Sequence, residues 1–363
     1  MQSSTEEPAK RPHLLAPARA KSHHGLMQRP EISILMPLYN ADSTLPTALK
    51  SVLRQSLAEW ECIVIDDGST DASLAVAQAY AARDTRIRVL ARGHSGIVPA
   101  LNDGLCECRG QWVARFDADD VMHRQRLAEQ RRQLLAHPEL SAVGCHVSLF
   151  PRARLSPGLR GYAAWLNSLT TAAEVARDRF VECPLAHPTL CVRRSALHDF
   201  GYRDVPWPED YDLLLRMFGS GAHLGVVPRR LLAWRDGPAR LSRIGPAYTR
   251  QQLVQCKAEF LARDWLARRG QYVLWGYGDT GRTLGRALDT RGKRPTHIIE
   301  LHPGRLGQRV LGARVITPAE LEQIAPRPER IIVSVAGAGP RGEIRESLAS
   351  MGFVEGRDFV CAA

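Results

Sequence analysis

Trp112-Val113-Ala114, followed after one arginine by Phe116-Asp117-Ala118-Asp119-Asp120, is the stretch on which the reading of this chain turns. A carboxylate placed directly after a buried strand sits at the C-terminal edge of a sheet, where open α/β sheets bind ligands. In an extended Asp-x-Asp, alternate side chains point the same way, so Asp117 and Asp119 can converge on one hard cation. A second acidic pair closes another apolar run, in Val64-Ile65-Asp66-Asp67-Gly68-Ser69. Two such strands put acids on one rim, and a cation held there could carry a diphosphate.

Outward from these strands the chain alternates between two periods. Short apolar runs at Ile32 to Met36, Cys62 to Ile65, Ile87 to Leu90 and Trp112 to Phe116 read as strands. Helical patterns separate them, the first capped by Asp42 or Ser43 and buried through Leu45, Leu49, Val52 and Leu53. Single helices between strands predict a doubly wound, mostly parallel α/β sheet. Beyond Phe150 the pattern loosens, with a helical stretch near Ala163 to Phe180, a strand at Thr189 to Val192 and a helix over Glu209 to Phe218. Residues 246–270 read as a helical linker with Leu253, Cys256, Phe260, Leu261 and Trp265 on its apolar face. Residues 271–363 then form a smaller Rossmann-like α/β unit.

At 363 residues the chain is longer than one core usually organises, so two domains are expected. Hydrophobic content of 44% and charged content of 24% fit a water-soluble globular protein. No apolar run reaches the roughly 18 residues a membrane span needs, and the start lacks a signal-peptide core, so a cytoplasmic protein is expected. Residues 1–29, rich in Pro, Ala, Lys, Arg and His, read as a disordered leader. The eight cysteines are dispersed without metal-ligand spacing and read as reduced thiols. A net charge of +11 suits anionic partners and permits peripheral contact with an anionic membrane. With no zinc-finger spacing and no aromatic-rich basic strand, nucleic acid is not an expected partner. Nothing in the sequence sets the oligomeric state.

Taken in order, residues 30–245 resemble the family-two glycosyltransferases, which have the A-type nucleotide-sugar fold. The matching residues are Pro37-Leu38-Tyr39-Asn40, Ile65-Asp66-Asp67-Gly68-Ser69-Thr70-Asp71, Ala100-Leu101-Asn102-Asp103-Gly104-Leu105, Phe116-Asp117-Ala118-Asp119-Asp120, Arg126-Leu127 and Glu209-Asp210-Tyr211-Asp212-Leu213. The resemblance implies transfer of a sugar, with inversion, from a nucleoside diphosphate donor, UDP foremost, to a saccharide or lipid-linked acceptor of surface polysaccharide or glycoconjugate assembly. It implies Mn2+ or Mg2+ on Asp117 and Asp119, with Asp117 also facing the donor diphosphate. Asp66 or Asp67 would bind the base or ribose, with Pro37, Tyr39 and Asn102 in the donor pocket. Asp210 would be the base, with Glu209 as its substitute. His187, in Cys183-Pro184-Leu185-Ala186-His187-Pro188-Thr189, would donate to the diphosphate or the acceptor, or serve only its own loop.

The Rossmann-like unit carries Gly276-Tyr277-Gly278-Asp279-Thr280-Gly281 between a strand and a helix, with Glu300 ending the next strand. That is the local pattern of a dinucleotide site: Gly276 for the tight turn, Gly278 for phosphate approach, Gly281 for helix–strand packing. About 90 residues hold only an abbreviated unit with no catalytic set behind it. An accessory nucleotide-binding-like module is therefore expected in preference to an NAD(P)-linked oxidoreductase, with a nucleotide-sensing module beside a lapsed transferase as a further alternative.

Overall fold

The computed structural model describes residues 29–238 and 240–363, so the leader expected over residues 1–29 falls, except for Arg29, outside the described residues. The first sheet has eight strands: β1 (Ile32–Leu38), β2 (Trp60–Asp66), β3 (Ile87–Ala91), β4 (Trp112–Arg115), β5 (Val121–Met122), β6 (Leu140–Phe150), β7 (Cys191–Arg193) and β8 (His223–Arg235), in the order β3-β2-β1-β4-β7-β6-β8-β5. β1 runs parallel to both β2 and β4, and β2 parallel to β3. β7 runs against β4 and β6, and β5 against β8.

Strand pleat sorts the side chains. Ile34, Met36 and Leu38 of β1 join Leu45 and Leu49 of the helix Leu45–Leu53 in one core, while Leu35 joins Leu101 and Leu105 of the helix Ile97–Glu107 in the other. Both faces of the parallel strands are thus covered, which is why these strands read as continuous apolar runs. The register pairs Leu38 with Asp66, so β1 and β2 end level. Phe116, just past β4, donates its amide to the Leu35 carbonyl at 3.0 Å. Tyr39, Asp66 and Asp117 therefore leave the sheet at the same edge.

Several boundaries differ from the sequence reading. The first helix starts after Thr44, with neither Asp42 nor Ser43 as its cap. The stretch near Ala163 to Phe180 is two helices, Pro157–Leu166 and Ala172–Arg177, because Thr171 and Glu174 form a capping box that restarts the chain. Residues 246–270 are not one helix. Pro246–Tyr248 is a tight turn, Thr249 caps a new helix Arg250–Phe260 by accepting from the Gln252 amide at 3.3 Å, and Leu261–Trp265 widens into a π turn.

The second, smaller sheet comprises β9 (Gln271–Trp275), β10 (Arg294–Ile299), β11 (Arg309–Val310), β12 (Ala313–Ile316), β13 (Ile331–Val333) and β14 (Phe359–Cys361), in the order β11-β12-β10-β9-β13-β14. All its pairings are parallel except the β11–β12 hairpin. The strand order reverses beside β9, between β10 and β13, the type of switch point at which doubly wound sheets open a crevice. The segment read as a linker buries one face, through Val254, Cys256, Ala258 and Phe260, in a core shared with both sheet domains. Leu213 and Met217 of the helix Glu209–Gly219, Val254 and Phe260 of the helix Arg250–Phe260, and Leu274, Leu284 and Val360 of the second sheet domain belong to one continuous core. Buried Lys257 donates its ammonium to the carbonyls of Val181 at 2.7 Å and Ala362 at 3.4 Å, tying the two bodies together. Among the described residues no helix is long and apolar enough to cross a membrane.

Candidate active site

Where β2 ends, the two aspartates diverge in use. Asp67 spends both carboxylate oxygens on the loop after β3, accepting from the amides of Ser95 at 3.1 Å and Gly96 at 2.9 Å, with the His94 ring at 2.8 Å. Asp66 is just as buried, but one oxygen accepts from the Ser69 amide at 3.3 Å and the other has no hydrogen-bond partner. A buried acceptor without a donor is costly, so a group presenting an N–H or O–H at Asp66 would be held. Tyr39 is half-exposed above β1 and stacks on His94, ring centroids 4.3 Å apart. Pro37 lies within β1, opposite Ile65.

Past β4 the chain turns and presents Asp117, Asp119 and Asp120 together, one oxygen of each lying within 4.8 Å of the others. Burial first, and the Asp117 charge second, push Asp119 up to about 6. The same causes raise Asp120, which adds Asp119 as a repelling neighbour. One Asp120 oxygen accepts from the Arg235 amide at 2.7 Å, and the other is buried and unpartnered. A trio of close carboxylates with mutual repulsion and a spare buried oxygen fits a hard divalent cation. Arg115, the last residue of β4, is buried and ion-pairs with Asp117 through Nη1, while its Nε has no partner. Burial opposes the Arg115 charge, but Asp117 and, more distantly, Glu209 outweigh it.

The third component is the start of the helix Glu209–Gly219. Leu213 and Leu214, one turn further on along the same side of the helix, are fully buried, while Asp210 at the helix start is only half-buried. Asp212 is fully engaged by Arg203, by Trp207 Nε1 at 3.0 Å and by Arg216 Nε at 2.7 Å, so it serves the fold. Asp210, by contrast, accepts among the described residues only from the adjacent Tyr211 amide, at 2.7 Å. Burial, and then the neighbouring Glu209, push Asp210 up to about 7, a value suited to proton transfer near neutral pH. Glu209 is buried, accepts from the Tyr248 hydroxyl and faces His187 Nδ1 at 3.7 Å. Burial raises Glu209, against the lowering effect of the Tyr248 hydrogen bond and of Arg115, and the Asp117 charge adds a smaller push upward. His187 meets the Tyr202 hydroxyl at 3.0 Å, and burial followed by Arg115 holds it well below the usual histidine range, hence neutral.

Asn102 commits its side-chain amide to the Tyr202 backbone, donating to the carbonyl at 2.9 Å and accepting from the amide at 3.0 Å, and so braces the loop that carries Tyr202 under His187. The glycine turn belongs to the second sheet. Gly276 has φ of +97°, and a Cβ on Gly281 would meet the Gly276 carbonyl oxygen at 2.1 Å, so both are set by backbone geometry. Gly278 opens onto free space. Across the mouth of this turn, Arg305 Nη1 donates to the Tyr277 carbonyl at 2.9 Å and to Glu300 at 3.2 Å, which occupies the acid expected to meet a ribose. Arg115, Tyr202 and Tyr248 were given no place in the site by the sequence reading, and Asp120 no part in the metal set.

The architecture is that of the A-type nucleotide-sugar fold. Staphylococcus aureus TarS 1–349, solved in complex with UDP-GlcNAc, aligns over 72% of this chain and 72% of its own with a TM-score of 0.53 at 16% identity. The mannosyltransferase PcManGT from Pyrobaculum calidifontis, solved with GDP-Man and Mn2+, aligns over 72% of this chain and 73% of its own with a TM-score of 0.51 at 18% identity. At the sequence level, the model of glycosyl transferase family 2 matches residues 33–201. EpsE of Bacillus subtilis strain 168, named as a glycosyltransferase, is 34% identical over 198 residues, which are 53% of this chain and 68% of EpsE. The chain belongs to glycosyltransferase family 2 and is a glycosyltransferase.

Proposed function

We propose that the enzyme moves a sugar with inversion from a nucleoside diphosphate donor, UDP foremost, to a hydroxyl of a saccharide or lipid-linked acceptor in surface polysaccharide or glycoconjugate assembly. The observation that carries this reading is the close Asp117-Asp119-Asp120 trio with buried Arg115 ion-paired to it, the same cation whose charge acts on Glu209 and Asp210 at the helix start. Asp66, with its spare oxygen, accepts from the base or ribose of the donor, and Tyr39 offers an exposed ring face beside it. Asp117 and Asp119, with Asp120, would hold Mn2+ or Mg2+, which supplies positive charge where the diphosphate departs. Arg115 holds Asp117 from behind and adds a fixed cation under the same group.

Asp210 takes the proton of the acceptor hydroxyl as its oxygen bonds to the anomeric carbon. The bond from that carbon to the diphosphate oxygen breaks on the opposite face, and the electron pair leaves with the diphosphate. Neutral His187 and Tyr202 line the floor near Glu209. A thermal-shift screen of UDP-, GDP- and dTDP-sugars with Mn2+ tests the donor class: UDP-sugars should raise the Tm, and a response to NAD(H) with none to nucleotide sugars would favour the oxidoreductase reading instead. Asp210→Asn should abolish transfer while donor affinity stays within a few fold.

A further inference from the structure

We infer that Tyr248, which lies beyond the residues matched by the family, is a positioning residue of the transferase site and that the second sheet domain holds it there. The inference rests on the role proposed for Asp210. Local geometry fixes Tyr248 first. It closes the tight turn Pro246–Tyr248, its amide donating to the Gly245 carbonyl at 3.1 Å. A Cβ on Gly245 would sit 3.1 Å from the Tyr248 ring and 2.8 Å from the Leu241 carbonyl oxygen, so the turn leaves room for this ring only beside a glycine. The ring then places its hydroxyl on Oε2 of Glu209, a carboxylate that is 4% exposed. Among the described residues that oxygen has no other hydrogen-bond donor.

Charge-assisted hydrogen bonds of this kind are about twice as strong as neutral ones. Without Tyr248 the buried carboxylate must take up a proton or turn toward another donor, and in either case the residue adjoining Asp210 changes its charge or its direction. Burial and Glu209 keep the Tyr248 hydroxyl protonated, so it remains a donor.

Two residues further on, Arg250 donates to Thr280 Oγ1 at 2.9 Å, inside the glycine turn of the second sheet. Thr249 between them caps the helix Arg250–Phe260, which is anchored in turn by Lys257. One short segment thus meets the helix Glu209–Gly219 through Tyr248 and the second sheet domain through Arg250, the latter by an exposed hydrogen bond. The second domain is in this respect part of the transferase site.

The test uses the full chain. Tyr248→Phe should lower kcat for sugar transfer by roughly ten- to hundredfold, the loss expected when a hydrogen bond to a buried charge is removed. Affinity for UDP with Mn2+, measured by calorimetry, should change less than threefold. Thr280→Val, which leaves the site itself untouched, should lower kcat by a smaller factor and add little to Tyr248→Phe, since both act through one segment. An unchanged kcat in Tyr248→Phe, or kcat and UDP affinity falling together with Tm, would overturn the positioning role. A wild-type kcat in Thr280→Val would overturn the contribution of the second domain. Asp210→Asn run alongside separates the two readings: if it still transfers sugar, the base assignment itself has failed, whereas an inactive Asp210→Asn with an unaffected Tyr248→Phe rejects this inference alone.

Discussion

With Asp210 as the proposed base, its raised pKa should set the pH dependence of transfer in a form that can be worked out beforehand. Burial, and then Glu209, raise it from 3.8 to about 7. A base must be ionised to accept a proton, so kcat/KM should climb with pH and level off above 7. At pH 6, one unit below the midpoint, about a tenth of Asp210 is ionised, and kcat/KM should be about tenfold below its plateau. Glu209→Gln deletes the second cause and keeps the first, so the acid limb should move to lower pH. A displacement of about one unit, equivalent to about 1.4 kcal/mol, would bring the relative rate at pH 6 to about half of plateau. The plateau itself should fall, because the base is weaker. Initial rates from pH 5 to 8.5 at constant ionic strength provide the assay. The same shift has a stability counterpart. Asp210 binds its proton more tightly folded than unfolded, so its contribution is full below pH 4 and is lost as pH rises through about 7. A wild-type limb near pH 4, or one that does not move in Glu209→Gln, would refute the reasoning.

Asp66→Asn should raise the donor KM with little change in Tm, whereas Asp67→Asn breaks the clamp on the Ser95 and Gly96 amides and should cost about 1–3 kcal/mol, seen as a Tm lower by several degrees. In the second sheet, Gly281→Ala forces a Cβ against the Gly276 carbonyl and should destabilise that domain, while Gly278→Ala meets open space and should leave Tm unchanged. If Gly278→Ala abolishes a thermal shift produced by any nucleotide, the turn is a binding site; if no nucleotide shifts even the unsubstituted protein, it serves packing.

The parallel half of the first sheet was legible because β1, β2 and β4 are buried on both faces and must be apolar throughout, and the acids that follow them mark the edge where they end. β8, 13 residues long, was not, because Pro228-Arg229-Arg230 interrupts its apolar pattern. The sheet absorbs that interruption through register shifts against β6 around His146, which no local period reveals. The acid constellation could be assembled from short motifs in order. Arg115 was hidden because one charged residue at the end of a buried strand has no signal of its own; its partner, Asp117, lies across a turn. Tyr248 was hidden by the reading of residues 246–270 as one helix, which would have pointed it along a helix face in place of closing a turn on Glu209. Cys106 and Cys108 lie at the C-terminal end of the helix Ile97–Glu107, and all eight cysteines are free.

The central claim is that Asp117, Asp119 and Asp120 bind the donor diphosphate through a divalent ion. Calorimetric titration of UDP into the enzyme, with Mn2+ and with EDTA, for the unsubstituted chain and for Asp119→Ala, tests it most directly. The account predicts binding that requires Mn2+ in the first protein and is lost in the second. Equal UDP affinity in EDTA, or undiminished Mn2+-dependent binding by Asp119→Ala, would contradict it.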